Sequence, residues 1–191
     1  MARNGNSAGG RTPGSRAPGR GATITNRPVA GAVVVTPAIK ILEAAGIAHD
    51  VTRYDASQAE GDYGIDASNQ LGLSPDEVFK TLVAETDAHA FVVGIVPVSG
   101  RLDLKKLAAA VRAKKTFMAD PAAVEKMTGY VLGGVSPLGQ KKRLPTVIDA
   151  SAQARPRIHV SGGRRGLEIS LAPDDLAALT GAQFADIAHP Q

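Results

Sequence analysis

Residues able to do chemistry are concentrated in one stretch of this chain. Gly133-Gly134-Val135-Ser136-Pro137-Leu138-Gly139-Gln140-Lys141-Lys142-Arg143 joins a glycine-rich loop to a basic triad. Glycine lets a backbone approach a ligand because no Cβ intervenes. Open N–H groups on such a loop can meet oxygen atoms, and the cations add affinity for phosphate. The same stretch also reads as a Gly-rich connection followed by a solvated charge run, and spacing alone does not choose between them.

Other chemistries fit less well. Gly134-x4-Gly139 has the spacing of a P-loop, and Val147-Ile148-Asp149 has the look of a magnesium-binding aspartate. But Gln140 stands where the lysine belongs, and Leu144-Pro145 blocks the helix that should hold the phosphate. Gly134-Val135-Ser136-Pro137-Leu138 lacks the last glycine of a serine nucleophile elbow. His49, His89, His159 and His189 have no metal-ligand spacing; the first three fall on predicted strands or strand edges and read as structural. No cysteine is present, so the chain supplies no thiol nucleophile and no thiolate metal site. That suits a reducing compartment. Lys80 sits inside an apolar strand, between Phe79 and Leu82. It either lines a cleft or snorkels to solvent, and the pattern alone favours solvent.

The charge is unevenly laid out. Residues 1–35 hold five arginines and no acid, residues 36–100 carry a net −7, residues 101–167 a net +10 and residues 168–191 a net −4. One strongly basic segment in a near-neutral domain points to a polyanion face. Residues 1–32, rich in Gly, Ala, Arg, Ser and Pro, are expected to be a disordered tail, since they cannot bury enough surface to offset chain entropy. They show neither the apolar core of a secretory signal nor the amphipathic pattern of a transit peptide. No apolar run is long enough to span a membrane.

The elements that must position these residues follow from punctuation and periodicity. Thr36-Pro37 and Gly46 bracket a helix with Ile39, Ile41 and Leu42 inward. A strand is expected over 47–54, a helix over 66–71 and one helical turn at the capping box Ser74-Pro75-Asp76-Glu77. Strands follow at 79–84 and 91–98, the second apolar on both faces and therefore central. Asp103 and Asp120 open two helices. Strands at 144–148, 157–160 and 167–171 and a helix from Pro173 to Gly181 complete the set. Hairpins mixed with helices, without regular βαβ alternation, predict a single α+β domain over 33–191.

The motifs resemble the YbaK/EbsC family of aminoacyl-tRNA deacylases, relatives of the editing domain of prolyl-tRNA synthetases. They are Val78-Phe79-Lys80-Thr81-Leu82, Leu102-Asp103-Leu104-Lys105-Lys106, Met118-Ala119-Asp120-Pro121, Thr128-Gly129-Tyr130, Gly133 to Pro145, and Val160-Ser161-Gly162-Gly163 with Arg165-Gly166-Leu167. The likeness runs from Thr36 to Ala188, and is closest to the Cys-tRNA(Pro) deacylase branch. Where those relatives follow their tyrosine with Glu-His-Asp, this chain has Asp55-Ala56-Ser57.

The resemblance implies a mixed, mostly antiparallel, barrel-like sheet surrounded by helices. It implies that Lys80 meets the aminoacyl ester or terminal adenosine, and that backbone N–H groups of Gly133 and Gly134 lie near the ester carbonyl with Ser136 beside them. It assigns substrate contacts to Tyr54, Pro137, Asp149 and Gly163. The triad Lys141, Lys142 and Arg143, read from charge, would take tRNA phosphates. The implied reaction is cleavage of mischarged Cys-tRNA(Pro), with Cys-tRNA(Cys) a further substrate, by attack of the substrate thiol. The resemblance thus implies a hydrolase or a cyclising lyase in the cytoplasm, serving translation fidelity without cofactor or metal. A prolyl-tRNA synthetase is the expected partner, and monomer and homodimer both stay open. The competing class is a non-catalytic module that binds tRNA or a synthetase through the same surface.

Overall fold

A computed structural model describes Met1, residues 35–58 and residues 63–190 of the chain. The Arg-rich segment expected to be a tail lies, apart from Met1, outside the described residues. In chain order the elements are α1 (Pro37–Ala44), β1 (His49–Arg53), α2 (Tyr63–Leu71), β2 (Val78–Thr86), β3 (Phe91–Pro97), β4 (Gly100–Leu102), α3 (Leu104–Ala110) and β5 (Thr116–Met118). They continue with α4 (Pro121–Thr128), β6 (Thr146–Asp149), β7 (Ile158–Ser161), β8 (Leu167–Leu171), α5 (Pro173–Thr180), β9 (Gln183–Ala185) and β10 (Ala188–Pro190).

Local chemistry sets the helix ends. Thr36 caps α1, its Oγ1 accepting from the Ile39 N–H at 3.3 Å, and Asp103 and Asp120 cap α3 and α4 in the same way. Gly46, Gly72, Gly129 and Gly181 follow helices at φ between 64° and 77°, the left-handed conformation that ends a helix at least cost to glycine. Along α1, Ala38, Ile39 and Leu42 are buried, whereas Ile41, expected inward, is 38% exposed. A helix turns 100° per residue, so residue 41 cannot share the face of 38, 39 and 42.

The strands form a mixed, mostly antiparallel sheet in the order β1-β8-β7-β2-β3-β6-β9, with β5 paired to the far end of β2. β3 is central, parallel to β6 and antiparallel to β2. Val93 and Ile95 face one core cluster, with α1 and β8, while Val92 and Val96 face a second, with Leu107 and Ile187. Burial on both faces explains the unbroken apolar run. Each such side chain contributes about 1.5–3 kcal/mol when fully buried.

Two expectations are corrected. The Ser74 box starts no helix. The Glu77 N–H closes a turn on the Ser74 carbonyl at 2.9 Å, and the Glu77 carbonyl is taken by the His159 N–H at 2.8 Å. Sheet pairing thus captures the chain at the point where helix would begin, and buries Val78 and Phe79 behind it. His89 is not on a strand: it stands at φ 59° in the β2–β3 turn, its Nδ1 2.7 Å from Glu85. The three-residue strands β4, β5, β9 and β10 were too short to carry a period.

Candidate active site

The C-terminal part of the described chain is tied down by Asp149, at the end of β6. Its carboxylate accepts the Ile187 and Ala188 N–H groups, both at 2.9 Å, and the Ser151 hydroxyl at 2.6 Å. Burial alone would raise this carboxyl, but the hydrogen bonds from Ser151, Ile187 and Ala188 outweigh it and hold it below the usual value. Asp149 is therefore saturated by the protein, not directed at substrate as the resemblance implied. We expect Asp149→Ala to lower stability by about 3 kcal/mol, since two buried N–H groups lose a charged acceptor. Because the folded pKa is depressed, this contribution is present above the ordinary carboxyl range and fades as pH falls through the folded value. Urea midpoints of both proteins at pH 7 and pH 3 check it.

The glycine loop is held from several sides. The buried Tyr130 hydroxyl, its pKa pushed up to about 12 by burial, donates to the Leu138 carbonyl at 2.7 Å. Gln140 Nε2 donates to the Ser136 carbonyl at 2.9 Å. The Gly134 N–H is spent on the Val131 carbonyl at 3.0 Å, so it is no oxyanion donor. Ser136 is fully buried, and its Oγ accepts the Leu138 N–H at 3.3 Å. It stands behind the loop and not in the cleft, contrary to expectation. Gly133 has φ 81°, and a Cβ there would stand 2.7 Å from the Tyr63 ring and 2.9 Å from Arg165 Nε. At Gly134 a Cβ would meet the Arg164 backbone at 2.8 Å. These two glycines let α2 and the 164–165 turn close on the loop.

What they close around is a cleft of ≈ 210 Å³. Lys80 enters from β2, Tyr54 from the end of β1, Gly133 and Val135 from the loop. Lys80 is half-buried and has no hydrogen bond or ion pair with any described residue. The Gly133 and Val135 N–H groups have no protein acceptor among the described residues. Glu168 on β8 also lines the cleft, 6% exposed, with Oε2 lacking any hydrogen-bond partner among the described residues. Burial pushes its carboxyl up to about 8. Tyr54 is also raised, by its own burial first and by the Glu168 charge second. Ser161 faces Glu168 across the β7–β8 pair, yet no hydrogen bond joins their side chains.

Sequence reasoning missed Glu168. The signal was available: in Leu167-Glu168-Ile169-Ser170-Leu171 strand alternation sets the acid apart from three core side chains, as it sets Lys80 apart on β2. Other expected residues lie elsewhere. Pro137, Lys142 and Arg143 line a separate groove with Leu179, sharing no residue with the cleft. Lys141 lays its aliphatic carbons 3.7 Å from where a Gly129 Cβ would be. Gly163, at φ 96°, makes room for the Tyr130 ring, which a Cβ would approach to 2.7 Å. Among the described residues no three His, Asp or Glu side chains gather as a metal site.

A cation, a protonatable carboxyl and open backbone N–H groups thus line one cleft. The chain belongs to the aminoacyl-tRNA editing domain family, whose model matches residues 63–179. It is 43% identical over 120 residues to a candidate Cys-tRNA(Pro)/Cys-tRNA(Cys) deacylase, EbsC, of Enterococcus faecalis, covering 63% of this chain and 73% of that one. A crystal structure of a candidate trans-editing enzyme for prolyl-tRNA synthetase superposes with a TM-score of 0.71 at 28% identity, over 80% of this chain and 95% of that one. The hypothetical protein APE2540 shares the fold, with a TM-score of 0.72 at 24% identity, over 81% of this chain and all of the other. No described helix is long and apolar enough to cross a membrane.

Proposed function

We propose that this protein is a trans-editing deacylase that removes cysteine from mischarged Cys-tRNA(Pro). The observation that carries the proposal is the make-up of the cleft. It offers Lys80, Glu168 and open N–H groups, and no hydroxyl hydrogen-bonded to a base among the described residues. Such a site lacks an activated nucleophile of its own and suits a substrate that brings one. The name of the Enterococcus faecalis relative supports cysteine as the amino acid. The solved relative described as trans-editing for prolyl-tRNA synthetase supports that synthetase as a partner.

In the proposed reaction the cysteinyl thiol attacks its own ester carbonyl. A C–S bond forms, the ester C–O bond breaks, and the products are a four-membered thiolactone and tRNA with a free terminal hydroxyl. Glu168, tuned near neutrality, takes the thiol proton and returns it to the leaving ribose oxygen. The Gly133 and Val135 N–H groups and the Lys80 ammonium stabilise the oxyanion, and the cleft holds sulfur and carbonyl in attacking geometry.

Single-turnover assays with Cys-tRNA(Pro) and Ser-tRNA test this. Cys-tRNA is expected to be cleaved far faster, because a hydroxyl is the poorer nucleophile, and the thiolactone should be trappable by an added amine. Equal rates, or free cysteine as the only first product, would overturn the thiol route in favour of activated water. Absence of turnover on every aminoacyl-tRNA would leave a binding module.

A further inference from the structure

Beside the cleft lies a second concavity of ≈ 220 Å³ that the reaction above does not use. Three arginines line it, Arg53 from the end of β1 and Arg164 and Arg165 from the β7–β8 turn, over a floor of Gly166 and Leu167. The two spaces adjoin. Tyr54 lines both. Arg165 donates its Nε proton to the Leu132 carbonyl at 2.8 Å and lies 4.7 Å from the centroid of the Tyr63 ring, and Leu132 and Tyr63 both line the cleft. Its guanidinium is therefore fixed in place before any ligand arrives. Neither Arg164 nor Arg165 forms an ion pair with a described residue. The like charges of Arg164 and Arg165 in one concavity repel, and a bound anion relieves that repulsion. The guanidinium fork matches phosphate oxygens two at a time.

We propose that this pocket holds the phosphodiester on the 5′ side of the terminal nucleotide, the ribose of which carries the ester. The inference rests on the deacylase reading, since it takes the cleft as the ester site. In an aminoacyl-tRNA that phosphate is one ribose away from the ester, and the arginine pocket is one side chain, Tyr54, away from the cleft. The groove of Lys142 and Arg143 shares no lining residue with the cleft, so the phosphate nearest the ester falls to the arginines. The 3′ end then enters over Arg53 and Arg164, with Tyr54 at the bend between phosphate and ester.

Binding of the uncharged trinucleotide CpCpA and of adenosine to the full-length protein tests the pocket without turnover. The wild type should bind CpCpA about 10- to 100-fold more tightly than adenosine. In Arg53→Gln/Arg164→Gln this preference should collapse while adenosine affinity stays, and the log K against log salt slope for CpCpA should flatten by roughly 0.7 per lost contact. Arg164→Lys, which keeps the charge and loses the fork, should fall between. Equal losses for CpCpA and adenosine, or no loss, overturn the proposal. So does inorganic phosphate binding as tightly as CpCpA, which would mark a free-phosphate site. A protein that deacylates no tRNA yet loses its CpCpA preference in the double variant would sink the deacylase reading and keep the pocket. A double variant unchanged toward CpCpA in an active enzyme would do the reverse.

Discussion

Lys80→Ala is expected to leave a folded protein that deacylates Cys-tRNA(Pro) about 10²- to 10³-fold more slowly, the cost of removing one preorganised oxyanion partner. The reasoning starts from β2, where Val78 and Phe79 are buried and Lys80 is half-buried in the cleft wall. Its ammonium forms no ion pair among the described residues. No described residue pairs with the charge, so its loss should hardly move the thermal midpoint. Lys80→Met separates charge from stem: it keeps the apolar length along the cleft wall and removes only the cation. Both variants should lose kcat and keep KM within a few-fold. A Lys80→Met protein that turns over at the wild-type rate would remove Lys80 from the chemistry.

Glu168→Gln should change activity and stability in opposite directions. In the folded protein burial raises this carboxyl from 4.5 to about 8. The unfolded chain therefore releases its proton first as pH rises. The folded state is penalised progressively from about pH 4.5, and the penalty levels off above about pH 8. At the upper end it is about 5 kcal/mol at most. The glutamine variant escapes it, so it should be the more stable protein at pH 8 and no better at pH 4. Deacylation should drop by roughly 10²-fold, and the pH–rate profile should lose its limb near neutrality. A stability gain without loss of activity would make Glu168 a structural liability only. Neither change would mean that the carboxyl is hydrated in solution.

The sequence carried the fold further than the site. Caps and terminal glycines are local chemistry, so α1, α3, α4 and α5 were legible from Thr36, Asp103, Asp120, Gly129 and Gly181. The doubly apolar run at 91–97 gave away the centre of the sheet. Strands β9 and β10 have three residues each, and their partners β6 and β4 lie far off in sequence, so nothing local announces them. In the site, Lys80 stood out as a cation beside apolar residues, although the pattern alone favoured solvent, and Tyr54 came only from the family resemblance. Ser136 and Asp149 misled for one reason. A hydroxyl or carboxylate looks the same on paper whether its lone pairs serve a ligand or the Leu138, Ile187 and Ala188 N–H groups. Only the hydrogen-bond partners separate the two.

The pairing of β1 with β8 bears on how the protein is made. His49 lies opposite Leu171, so roughly 120 residues must be synthesised before β1 finds its neighbour. At ribosomal rates of about 5–20 residues per second, that is a wait of some ~6–24 seconds with one strand unpaired. Tyr54 follows β1, Lys80 sits on β2 and Glu168 arrives only with β8. The cleft is thus a late product of translation. A nascent chain stalled before residue 168 would carry the lysine, the glycine loop and its basic triad without the acid. Under the proposed reaction it would engage RNA charge-to-charge while lacking the base for ester cleavage, so a ribosome-bound intermediate is the form in which binding and turnover would come apart on their own.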